Sequence, residues 1–130
     1  MYLSSSGVYQ LQRPVYSINS MNSVYQSYEY TNHQHVFTCE HETRFFLKLN
    51  ITAHPMPTTF DLYRNGVLLQ RSPSGTIDLG VDYIEFKRVC QSDDGNYTIT
   101  ASNSLGQGCF SFRLRGRIML CFTYMILSKI

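Results

Sequence analysis

No tryptophan occurs in these 130 residues, and only 15% of them are charged. Charged residues make up about 25% of an average globular chain, so this surface is sparsely charged. A net charge of +2 excludes a nucleic-acid binder that relies on a broad basic face. The first residues, Met1 to Gly7, hold neither a basic n-region nor an apolar h-region, so no secretory signal is present as written. That sets a cytoplasmic start as the expectation for the chain as it stands. Four cysteines are too few for a disulfide-dense scaffold. No apolar run reaches the roughly 17–25 residues that a membrane-spanning helix needs. The longest, Ile118–Leu127, has ten. There is no His-Glu-x-x-His and no Gly-x-Ser-x-Gly, and Gly106-x-Gly108 lacks the following helix that a phosphate-binding loop requires. A non-catalytic protein without cofactor or metal is expected.

What is present is aromatic. Ten tyrosines and eight phenylalanines in a chain of single-domain length favour strands over helices. The two ends differ from the middle. Residues 1–34 carry only Arg13 and Glu29 as charges, with six tyrosines and seven serines. Such a composition buries little and reads as a disordered leader. Within it, Tyr30-Thr31-Asn32 places an asparagine two residues after a tyrosine, a spacing that some phosphotyrosine-binding modules prefer. Residues 117–130 read as a short apolar tail. Arg113, Arg115 and Arg117 would give it a basic flank at a membrane surface, a use less favoured than an incidental extension.

Between 35 and 116 the period is two. Leu47, Leu49 and Ile51 alternate with Lys48 and Asn50, and His54-Pro55-Met56-Pro57 ends that strand because proline cannot donate into a ladder. Phe60 and Leu62 alternate with Asp61 and Tyr63 before Asn65-Gly66, the strongest short hairpin signal. Ser72-Pro73-Ser74-Gly75 is a second turn. Ile77 and Leu79, Ile84 and Phe86, then Tyr97, Ile99 and Ala101 mark further strands, and Phe110, Phe112 and Leu114 the last. About seven short strands with turns at most junctions predict an all-β, two-sheet antiparallel sandwich.

In order and spacing these motifs resemble the immunoglobulin superfamily, and its intermediate-set domains in particular. The resemblance covers about residues 36–115 and rests most on Asp93-x-Gly95-x-Tyr97 followed by Ala101-Ser102-Asn103-Ser104-Leu105-Gly106. It implies that Tyr97 is the corner tyrosine, its hydroxyl bonded to upstream backbone. It also implies that Asp93 holds an arginine across the base of the sandwich, with Arg71 as the candidate. Where the family has a strand B cysteine this chain has Leu49, where it has the strand F cysteine, Ile99, and where it has the strand C tryptophan, Leu62. The missing bridge would be worth about 2–5 kcal/mol. A domain without it tolerates a reducing compartment.

The cysteines present are Cys39, Cys90, Cys109 and Cys121. Free thiols are expected; Cys109 should point outward, and Cys39 with Cys90 is the one tolerable pairing. His33, His35, Cys39 and His41 share strand parity but span roughly 26 Å when extended, too far for one metal ion. Asn50-Ile51-Thr52 and Asn96-Tyr97-Thr98 match the N-glycosylation pattern and would matter if the chain is secreted.

The functional expectation is a module for protein–protein binding or spacing within a longer cytoskeletal or muscle-type protein. The alternative is an extracellular domain of a cell-surface adhesion or receptor protein. The expected binding face is the outward row Thr98, Thr100, Arg113 and Arg115, offered to a protein partner and not to nucleic acid.

Overall fold

The structure, a computed structural model, describes residues 11–69 and 76–117. Ten strands are formed among them: β1 Gln12–Ile18, β2 Ser27–Thr31, β3 Gln34–Glu40, β4 Phe45–His54, β5 Thr59–Arg64, β6 Val67–Leu68, β7 Ile77–Gly80, β8 Tyr83–Phe86, β9 Gly95–Asn103 and β10 Gly106–Arg117. They make a four-stranded sheet ordered β1-β4-β8-β7 and a six-stranded sheet ordered β2-β3-β10-β9-β5-β6. In immunoglobulin terms β1, β4, β8 and β7 hold the A, B, E and D places, and β5, β9 and β10 hold C, F and G. The two-sheet all-β sandwich expected from the alternation is the fold observed.

Most alternating runs put their apolar residues between the sheets, but Phe60, expected to face inward with Leu62, is 37% exposed, and Ile51 at the far end of its run is only half-buried. Phe45, Leu47 and Leu49 of β4 face Tyr97, Ile99, Phe110, Phe112 and Leu114 of β9 and β10, and all are buried. Aromatic rings pack together in the core. Phe45 meets Phe86 and Phe37 edge-on, and Tyr97 stacks on Phe112 at 5.5 Å between centroids. Such pairs add roughly 0.5–1.5 kcal/mol each beyond the area they bury.

The turns follow their local chemistry. Asn65 and Gly66 carry φ of 50° and 83°, the left-handed pair that a tight hairpin requires, and join β5 to β6. The His54–Pro55 peptide is cis where β4 ends. The turn expected at 72–75 lies outside the described residues, as does the tail from 118 onward.

Three expectations are corrected. Residues 12–34 are not a disordered leader, and the sandwich does not start at 35. β1 pairs with β4 from Gln12↔His54 to Ile18↔Leu49, and β2 pairs with β3 across an Asn32-His33 turn. Gln12, Ser17 and Ser27, among the polar residues that suggested disorder, are exposed on the edge strands β1 and β2. Tyr16 and Ile18 of β1 pack on the core, and the Tyr16 hydroxyl donates to the Val81 carbonyl at 2.8 Å. The second correction is to an all-antiparallel arrangement, since β3 runs parallel to β10. These strands come from distant parts of the chain, so no short hairpin forces them to be antiparallel. The third concerns number: β1, β2 and the two-residue β6 raise the count above seven.

Candidate functional site

The corner before β9 is the most tightly organised polar feature. Its chain turns through Gln91–Asp93, where the Asp93 carboxylate accepts the Cys90 backbone N–H at 2.8 Å. The Tyr97 hydroxyl donates to the Asp93 carbonyl at 2.5 Å, the corner bond that the resemblance implied. Tyr97 is 1% exposed. Burial, with Asp93 and Asp94 nearby, pushes its phenol up to about 12 despite the opposing Arg64 guanidinium.

Arg64, at the end of β5, was not singled out from the sequence. Its guanidinium donates to the Ser92 and Asp94 carbonyls and lies over the Tyr97 ring at 5.9 Å. Gly95 passes beneath it: a Cβ there would meet Asn65 Oδ1 at 3.2 Å and Arg64 Nε at 3.3 Å. Asn65 in turn accepts the Asn96 backbone N–H. An arginine is therefore bound across this corner, through backbone carbonyls and from the β5 hairpin. Arg71, the candidate for pairing with Asp93, lies outside the described residues. The only sequence signal for Arg64 was its place just before the Asn-Gly turn.

At the three positions where the family has its bridge and tryptophan, Leu49, Ile99 and Leu62 are all buried in the core. Leu62 and Ile99 are cross-strand neighbours of β5 and β9. Cys39 is buried, and that burial raises its thiol pKa; Cys90 is half-buried and Cys109 exposed, and these three thiols are free. Cys121 lies outside the described residues.

The expected outward row is only partly available to a partner. Thr98 shares a hydrogen bond with Ser111 at 2.8 Å, and Arg113 donates to Asp94 at 2.7 Å. Thr100 has outward parity yet is only 7% exposed, which removes it as a contact residue. It is a short side chain on an interior strand, flanked by Asp61 and Cys109. Arg115 is exposed. The sequon residues Asn50 and Asn96 are exposed too; Asn19 donates to Asn50 Oδ1 and Gln34 to Asn96 Oδ1.

The histidine cluster divides. His35 Nδ1 and the Tyr28 hydroxyl share a hydrogen bond at 2.7 Å, and burial holds the His35 pKa below its ordinary value. His41 lies 3.4 Å from the Glu42 carboxylate, while Cys39 belongs to the core. No group of three potential ligands converges among the described residues.

No family model matches the sequence, and no curated protein matches it. Solved structures do match in shape. A titin M3 domain superposes with a TM-score of 0.56 at 19% identity, over 82% of this chain and 98% of that one. Titin domains Z1Z2 in complex with telethonin give 0.57 at 21% identity, over 85% of this chain and 49% of that one. Sidekick-1 immunoglobulin domains 1–5 give 0.59 at 18% identity, over 85% of this chain and 21% of that one. Topology, corner and superposition agree on an immunoglobulin-like fold for this chain, with Leu49, Ile99 and Leu62 where that fold usually has its inter-sheet disulfide and tryptophan.

Proposed function

We propose that this domain is a non-catalytic module for protein–protein binding or spacing within a longer cytoskeletal or muscle-type protein. The observation that carries the reading is the outer face of β10, which leaves Arg115 exposed two residues beyond Arg113 and opposite Thr38 of β3. The similar structures support it, since they include titin domains in complex with telethonin. Four residues were expected on this face. The reading now rests on Arg115, with Arg113 next on the same face and Thr98 farther along it opposite Ser111, because Thr100 is covered.

The partner suited to this face is acidic. Arg115→Glu should weaken binding to an acidic protein surface by about tenfold, the effect of turning one attraction into a repulsion. Arg113 is a poor probe, because replacing it also breaks its pair with Asp94. Unchanged affinity for Arg115→Glu in a fluorescence titration, with folding intact, would sink the proposed face.

A second reading, an extracellular adhesion or receptor domain, is favoured by the exposed Asn50 and Asn96. The Sidekick-1 match in shape fits it as well. Expression behind an added secretion signal, followed by a glycosidase mobility test, separates the two. Full glycan occupancy with retained folding supports the second reading, and an unfolded secreted product supports the first.

A further inference from the structure

The seven tyrosines among the described residues do not present equivalent hydroxyls. Among the described residues Tyr16 donates to Val81, Tyr83 to Asp78 and Tyr97 to Asp93, and Tyr28 shares its bond with His35. Tyr25 and Tyr63 are only half-exposed. Tyr30 differs from all of these. It is 58% exposed, and its hydroxyl makes no hydrogen bond among the described residues. Its ring lies against His35 at 4.7 Å between centroids.

Its setting suits an enzyme that reads extended chain. β2, residues Ser27–Thr31, is the outer edge of the six-stranded sheet, and all five residues are exposed. Glu29 precedes Tyr30, and Asn32 follows two residues later in the left-handed turn that links β2 to β3. The asparagine therefore lies on the same exposed reversal as the tyrosine.

We propose that Tyr30 is a phosphorylation site, and that the phosphorylated hairpin is read by a phosphotyrosine-binding module selecting asparagine at the second following position. In the reaction Tyr30 Oη attacks the γ-phosphorus of a nucleoside triphosphate held by a tyrosine kinase. The Oη–P bond forms, the bond to the bridging oxygen breaks, and nucleoside diphosphate leaves; the phenolic proton passes to the kinase's base. The product carries about −1.5 to −2 charges and three strong acceptor oxygens. Clustered arginines of the reader can bind those oxygens. The proposal goes beyond the binding-module reading and does not depend on the β9–β10 face.

The test uses the full chain, folded, with the catalytic domain of a broad-specificity tyrosine kinase and magnesium ATP, and peptide mapping by mass spectrometry. Tyr30 is expected to take phosphate ahead of Tyr28, to do so in Tyr28→Phe, and to lose it in Tyr30→Phe. The phosphorylated chain is then titrated against an SH2 domain that prefers asparagine at that position. Asn32→Gly keeps the positive φ of the turn while removing the carboxamide. It should leave phosphorylation intact and weaken SH2 binding by about tenfold, the loss expected for one or two hydrogen bonds. Modification of Tyr30 only after urea unfolding would overturn the proposal. So would phosphate on Tyr28 instead, or equal SH2 binding by Asn32→Gly.

Discussion

Gly108→Ala tests whether the N-terminal strand belongs to the sandwich. Gly108 lies on β10 where β1 crosses it, and a Cβ there would stand 1.9 Å from the Pro14 carbonyl oxygen and 2.6 Å from its carbon. Ordinary contact begins at 3.4 Å. The neighbour is backbone, so no rotamer change relieves the clash, and β1 must retreat by about 1.5 Å. Retreat would unseat buried Pro14 and strain the ladder between Val15 and Thr52. Overpacking of this kind costs about 1–3 kcal/mol, and the backbone position puts Gly108→Ala near the upper end. For a domain of this size that is a fall in Tm of roughly 8–14 °C. Urea unfolding followed by tyrosine fluorescence gives the free energy directly. The decisive comparison is a chain beginning at Val15, which lacks the Pro14 carbonyl. Truncation alone should destabilise, but adding Gly108→Ala should then cost less than about 0.5 kcal/mol, a plain failure of additivity. Equal costs in the full and shortened chains would refute the contact, and with it the place of β1 in the fold.

Two further outcomes concern the corner. Tyr97→Phe should lose about 1 kcal/mol at neutral pH with its hydrogen bond to Asp93. The Tyr97 phenol is pushed up to about 12 by burial, above its ordinary 10.0, so its contribution is complete below pH 10 and lost as pH rises through 12. At 1.36 kcal/mol per unit that loss is about 3 kcal/mol, so the pH–stability curves of wild type and Tyr97→Phe should cross in alkali. Parallel curves in denaturant titrations from pH 8 to 12.5 would show that the phenol is not held as described. Tyr16, half-exposed and raised by burial and by Asp82, adds a smaller loss in the same direction to both proteins. Arg64→Ala removes both carbonyl bonds and the stack on Tyr97, and should cost about 1–3 kcal/mol. Arg64→Lys should recover less than half of that, since an ammonium cannot fork to two carbonyls in one plane. Thermal denaturation of the three proteins decides it; a fully stable Arg64→Ala would remove Arg64 from the corner.

Local rules made much of this molecule legible. Alternation at Leu47 and Leu49, Tyr97 and Ile99, and Phe110–Leu114 depends only on the two-residue strand period, and these residues are found between the sheets. Asn65-Gly66 turns because both residues accept positive φ, whatever surrounds them. The Asp93-x-Gly95-x-Tyr97 corner sits within five consecutive residues and was legible through the resemblance to immunoglobulin domains. The tertiary structure alone decided features that depend on what lies opposite. β2 has five exposed residues and so no apolar period; it is a strand because β3 supplies its hydrogen bonds. The parallel register of β3 with β10 leaves no mark in either segment. Burial of Thr100 follows from its interior strand, and the role of Arg64 from carbonyls some thirty residues away. Sequence period fixes which way a side chain points, but what covers it or bonds to it is set by distant chain.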